Sequence, residues 1–303
     1  MKRLLLWFRR RPVVTLVLMA VYFAAVTFGH DAVCQVSFWV QDVLSRELYN
    51  NLLTALLVMA LAPVAVLLWR GIQAGQQGLL KGAYCVVTAV LIGVCYKTTF
   101  VMNIEIIHVP QYALLALPIL ALTKRAGETV LWVMLVGAAD EAIQYWLLYG
   151  TQHTHYDFND TVLNVLGAGL GVVSAAIILK AGRADGPSCY SAFEWFRSSA
   201  FAVGAAALLA ASLLAAAGWL RVYPAAEGIS APILLSRQPL PSAYWLDTDW
   251  GKTYHIIHPY GGMLAMLLLV AWHAYLDVRI DLKVRLREAE KHRPGATVPG
   301  VRR

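Results

Sequence analysis

Three short pieces of this chain place residues that can do chemistry at helical spacing. Glu105, His108 and Tyr112 stand at i, i+3 and i+7, so they share one face of a helix. Glu141 and Gln144 stand at i and i+3, with Gly137 one turn earlier on the same stripe, while Asp140 lies about 100° round the helix and is left outside the cluster. Asp160 and Asn164 stand at i and i+4, on a stripe that continues through Gly167 and Gly171. The segment joining the second and third pieces adds His153, His155, Tyr156 and Asp157. A carboxylate beside an imidazole can pass a proton, with Glu141 or Asp160 as general base and His108 as partner. Amides, a phenol and further acids can orient a polar ligand; Glu105, Tyr112, Gln144, His153, His155, Asp157 and Asn164 are the candidates. Imidazole and carboxylate also suit zinc or iron, and a site built from Glu105, His108, Glu141 and a loop histidine is chemically reasonable. No HExxH-type spacing is present, so the sequence assigns no metal and no other cofactor. Haem held between His108 and His258 is a weaker alternative.

The elements that carry these pieces are hydrophobic throughout. Of the 303 residues 59% are hydrophobic and 14% charged, with mean hydropathy +0.59, far from the balance of a soluble domain. The apolar residues form blocks long enough to cross roughly 30 Å of hydrocarbon as helices. Spans are predicted near 13–29, 51–69, 82–96, 104–123, 129–149, 161–180, 199–220 and 261–277. The fold class is therefore an all-α, polytopic transmembrane bundle of about eight spans. With the N-terminus cytoplasmic, only Arg46, Lys97, Arg221, Arg237 and Lys252 of the 25 Lys and Arg fall in outer segments. That imbalance predicts two cytoplasmic termini; the membrane is read as a bacterial inner membrane. The net charge of +7 reads as a topology signal directed at anionic lipid, not at nucleic acid. The first span is read as a permanent anchor, because no small-residue cleavage pattern follows it where Phe28, Gly29 and His30 end it.

The chain divides into a two-span region (1–81), a four-span region (82–181), two further spans with a large outer loop (182–277) and a basic cytoplasmic tail (278–303). Residues 30–50 suit a short amphipathic helix lying on the outer surface. The loop 221–260 carries Pro224, Pro232, Pro239 and Pro241, which predict an irregular path, and aromatic residues that predict packing on the membrane interface. Asn159 and Asp160 sit where a helix cap is expected. Pro110 and Pro118 predict a kinked or locally opened fourth span. Gly167 and Gly171 have the GxxxG spacing that lets another helix approach closely. The cysteines Cys34, Cys85, Cys95 and Cys189 form no CxxC pair, and a Cys34–Cys95 disulfide on the outer side is left open.

At Glu105-Ile-Ile-His108 with Tyr112, at Glu141-Ala-Ile-Gln144, and at Tyr156-Asp157-Phe158-Asn159-Asp160 with Asn164, Gly167 and Gly171, the sequence resembles the VanZ-like family of bacterial membrane proteins. The resemblance covers about residues 82–181. One departure stands out: where the family usually carries an arginine shortly before the last acidic piece, this chain reads Gln152-His153-Thr154-His155. The resemblance implies a cell-envelope protein whose biochemical role is unsettled across the family.

Two functions of different class follow. The leading expectation is an outer-facing polar pocket that binds, or acts on, a lipid-linked or surface ligand; whether a reaction is catalysed is left open. The alternative is a structural or assembly subunit of a larger membrane complex, supported by the small-residue seventh span. A transporter is less favoured, because apart from His273 the deep parts of the spans hold no chain of ionisable groups.

Overall fold

A long apolar block can satisfy its backbone in lipid only by closing every hydrogen bond within itself, which makes it a helix. The computed structural model describes residues 1–75, 77–149, 154–181, 197–223, 231–238, 244–248, 251–280 and 282. Among these, eight helical segments are long and apolar enough to cross a membrane, one for each predicted block. The helices are α1 (Lys2–Arg10), α2 (Pro12–Leu44), α3 (Arg46–Ala74), α4 (Gly78–Thr98), α5 (His108–Thr123), α6 (Ala126–Ile143), α7 (Phe158–Ile178), α8 (Ser199–Ala216) and α9 (Pro259–Arg279). A 3₁₀ turn, Asn103–Ile107, leads into α5, and a π turn, Gln144–Leu148, ends the α6 segment. Cys34 and Cys95 are both free thiols.

The N-terminal region departs from the expectation of a separate surface helix over 30–50. The second helix runs unbroken through Gly29 to Leu44, and the chain turns only at Ser45, with φ 67°. One helical glycine costs about 1 kcal/mol, too little to stop a helix this apolar. At 33 residues α2 is roughly 50 Å long, more than the hydrocarbon thickness, so it tilts or projects beyond it. Before it lies α1, an amphipathic helix with Leu5 fully buried against the bundle and Lys2, Arg3 and Arg10 exposed. Thr15 Oγ1 donates to the Phe8 carbonyl at 2.7 Å and fixes the corner between the two.

The central element is α7, buried on nearly all sides by α4, α5, α6 and α9. Its glycines explain how neighbours come so close. A Cβ on Gly167 would sit 2.6 Å from the Val109 carbonyl oxygen, and one on Gly171 would strike the backbone of Ala113, so the GxxxG stripe is the seam with α5. At Gly137 an added Cβ would lie 3.1 Å from Asn164, which marks the seam of α6 with α7. At the opposite end Asp277 of α9 accepts from the amides of Ala126 (2.5 Å) and Gly127 (2.8 Å), capping the start of α6. Near that end Lys81 Nζ donates to the Ala181 carbonyl at 2.9 Å. By contrast α3 and α8 leave most of their apolar surface exposed, as helices facing lipid or a partner do.

Among its described residues the loop 221–260, with Leu220 before it, carries two short strand pairs. Leu220–Arg221 pairs in parallel with Ile233–Leu234, and Trp245–Asp247 pairs antiparallel with Thr253–His255. Parts of it fold back over the α6–α7 connection: Tyr156 N–H donates to the Leu235 carbonyl (2.8 Å) and Arg237 N–H to that of Thr154 (2.7 Å). Pro224, Pro239 and Pro241 lie outside the described residues.

Candidate functional site

The fourth span starts with a fixed turn. Glu105 folds its carboxylate back onto the amides of Val101 (3.0 Å) and Met102 (2.8 Å), satisfying donors that the turn leaves unpaired. His108 is then the first residue of α5. Pro110 falls within the first turn, where its missing N–H costs no helical bond, so it does not open the helix as expected; only Pro118 lies inside it.

The sixth span starts with a cap, but not at the expected residue. Asp157 is the N-cap of α7, its Oδ1 accepting from the amides of Asn159 (2.8 Å) and Asp160 (3.1 Å). The cap therefore stands three residues before Asp160, which is freed to turn its side chain into the bundle.

There it meets His108. Nε2 of the imidazole lies 3.5 Å from Asp160 Oδ2, and on its other side Nδ1 lies 2.9 Å from Asn164 Oδ1. An amide oxygen only accepts, so Nδ1 carries the proton and Nε2 presents its lone pair to the acids when the ring is neutral. Glu141 completes the group: one atom each from His108, Glu141 and Asp160 lie within 4.8 Å of one another. The three are 1%, 4% and 9% exposed and Asn164 is fully buried. The pattern predicts a water-accessible pocket; the described side chains instead form a closed cluster, because the glycine seams bring α5, α6 and α7 too close to leave it open.

Two more expected residues join the same layer. Tyr112 lies nearly parallel to the His108 ring, with centroids 6.4 Å apart, and Gln144 is buried in the π turn. Tyr112 also identifies a residue that the spacing left out: its hydroxyl donates to Asp140 Oδ2 at 2.6 Å. The 100° between Asp140 and Glu141 separates two neighbours, not inside from outside: Asp140 faces the phenol of α5, and Glu141 faces His108 and Asp160. The buried atoms Asp140 Oδ1, Glu141 Oε1, Gln144 Nε2 and Asn164 Nδ2 have no hydrogen-bond partner among the described residues. Buried polar atoms are rarely left so, and four of them on the facing α6 and α7 segments point to a site that takes a ligand.

The loop residues stand apart from this group. His155 contacts Thr154 Oγ1 at 3.0 Å and bridges to Ser236 of the loop 221–260; His153 lies outside the described residues. Tyr156 donates to the Ala138 carbonyl at 3.0 Å, and burial pushes its phenol well above the usual range, so it stays a donor. His258 caps α9 through Tyr260 N–H at 3.3 Å, among Tyr223 and Tyr244.

Sequence reasoning read Asn159 as a cap residue and gave His30 no part in the site. Asn159 Nδ2 donates to the carbonyls of Thr99 (3.2 Å) and His255 (3.0 Å), and its Oδ1 accepts from Ile257 N–H (2.8 Å). It ties the end of α4 and the approach to α9 to the start of α7, a long-range role with no local signature. The ring of His30, on the part of α2 that was expected to be a surface segment, lies 5.9 Å from that of His108 and 6.1 Å from that of Tyr149. Its approach follows from the unbroken α2.

No family model, no curated protein and no solved structure matches this chain. The site is therefore read from its own chemistry. It offers two acids and a tautomer-fixed imidazole in contact, a second acid–phenol pair beside them, and unsatisfied amide donors. Such a set can hold a cation through the carboxylates, pass a proton between Asp160 and His108, or bind a ligand that presents both charge and hydrogen-bond acceptors.

Proposed function

We propose that this chain is a VanZ-like protein of a bacterial inner membrane, whose outer-facing cluster binds, or acts on, a lipid-linked or cell-surface ligand. The observation that carries the reading is the meeting of His108, Glu141 and Asp160 from three different helices in one buried group with unsatisfied polar atoms around it. Ionisable side chains within spans are costly, and three brought together on purpose-built glycine seams are better explained by a ligand than by packing. In this reading His108 and either acid form the proton-transferring pair, with Tyr112, Gln144 and Asn164 orienting the ligand.

A lipid-linked ligand is favoured by the apolar surface beside the cluster. Between α2 and α5 runs an apolar crevice lined by Tyr22, Phe23, Val26, Tyr112 and Leu115, and Tyr112 belongs to both crevice and cluster. The gap between these side chains is too narrow for a hydrocarbon chain as it stands, so an acyl or prenyl chain would lie against this surface or part α2 from α5, with its polar head toward the acids. Native mass spectrometry of protein released from mild detergent tests this. The reading expects one bound lipid on the wild type and its loss in Glu141→Gln and Asp160→Asn, and lipid retained equally by both variants would count against it.

The exposed apolar faces of α3 and α8 support the second reading, a subunit of a larger membrane assembly. A stoichiometric protein partner recovered in the same purification, with no bound lipid, would favour it.

A further inference from the structure

We infer that His108, Glu141 and Asp160 are the protein ligands of a divalent metal ion of the zinc class, with Asn164 as the residue that orients His108. The inference deepens the reading of the cluster as a ligand site and rests on it.

Three independent observations carry it. The first is separation: a tetrahedral metal with bonds of about 2.0–2.1 Å puts neighbouring ligand atoms roughly 3.3–3.4 Å apart. Nε2 of His108 and Oδ2 of Asp160 stand 3.5 Å apart, long for a hydrogen bond but close to one edge of that tetrahedron. The remaining separations, all within 4.8 Å, close by small side-chain rotations.

The second is the tautomer. Metal-bound histidines commonly donate their other ring N–H to an oxygen acceptor, which fixes the ring and aims the lone pair. Asn164 Oδ1, 2.9 Å from Nδ1, is that acceptor here, and the Nε2 it leaves bare is the nitrogen that faces Asp160.

The third is the state of Glu141. It is 4% exposed, it offers an oxygen to the cluster, and its Oε1 has no hydrogen-bond partner among the described residues. Two carboxylates this close in a low-dielectric interior repel, and a shared divalent ion removes both the repulsion and the unsatisfied oxygen. One nitrogen and two carboxylate oxygens suit zinc, or manganese and iron in the same oxidation state, better than a thiolate-preferring ion. Three protein ligands leave a coordination position for water or an oxygen of the ligand, the arrangement of sites that act on a substrate, whereas structural zinc sites are closed by four.

Cobalt(II) reports coordination directly, by the strength of its visible absorption. Full-length protein in detergent, stripped with a chelator and desalted, is titrated with Co²⁺. The wild type is expected to develop an intense tetrahedral-type spectrum that saturates at one equivalent and is displaced by Zn²⁺. His108→Gln, Glu141→Gln and Asp160→Asn are each expected to weaken Co²⁺ binding at least tenfold while eluting as the same folded species. Asp277→Asn, at the other end of the bundle, binds as the wild type does. A folded wild type that gives no cobalt spectrum overturns the inference, as does unchanged affinity in the three cluster variants. Lipid capture that depends on the cluster, found together with a silent cobalt titration, overturns the metal centre and leaves the lipid reading standing. Metal binding without captured lipid does the reverse.

Discussion

Asn164 Oδ1 lies 2.9 Å from His108 Nδ1, and this one contact decides which nitrogen of the imidazole faces the acids. Both residues are buried, so neither has water as a substitute partner. Asn164→Ala leaves a buried N–H unpaired and is expected to cost about 1–3 kcal/mol in thermal unfolding in detergent. Asn164→Asp keeps an acceptor at the same place and is expected to recover part of that loss. Equal stability in the two variants would show that the contact does not hold the ring.

Asp157 and Asp160 share the first turn of α7 and are expected to separate cleanly. Asp157→Ala removes a cap that satisfies two amides, and about 0.5–2 kcal/mol of stability should go with it. Ligand capture by the protein that remains folded should be close to normal. Asp160→Asn should show the opposite profile, with normal stability and no capture. The pair of profiles is read from thermal unfolding and native mass spectrometry on the same preparations.

All eight spans were legible in the sequence, because lipid imposes length and apolarity on each helix separately. The shared faces of His108, Glu141, Asp160 and Asn164 were legible for a related reason: helical spacing alone sets them. What was hidden depends on partners from elsewhere in the chain. Asp140 was set aside on the strength of its angle to Glu141, and only the position of Tyr112 on the neighbouring helix brings it in. Asn159 looked like part of a cap and instead joins its helix to two segments about 60 and 96 to 98 residues away. The cap itself was placed at Asn159 and Asp160, since Asn and Asp are equally good N-caps and the sequence offers three in a row of four from Asp157 to Asp160. His30 was out of reach because Gly29 looked like a helix end, and glycine is a weak terminator inside a strongly apolar helix.

The inside-positive charge pattern makes a separate prediction about orientation. In a background without Cys34, Cys85, Cys95 and Cys189, a cysteine at Asp247, exposed in the loop before α9, should react with an impermeant maleimide in intact cells. A cysteine at Ala74, exposed at the end of α3, should react only after lysis. The reverse pattern would place the polar cluster on the cytoplasmic side and remove the envelope reading.

The central claim is that the acids of the cluster serve a ligand instead of holding the helices together, and thermal stability of chelator-treated protein in detergent tests it most directly. Gly167→Leu sets the scale for a broken helix seam, because its side chain must enter space held by the Val109 backbone. A ligand site carries buried charge at a cost to the fold, so Glu141→Gln and Asp160→Asn are predicted to unfold at the wild-type temperature or a few degrees above it. A fall in both variants as large as that of Gly167→Leu would contradict the account and make the cluster part of the scaffold.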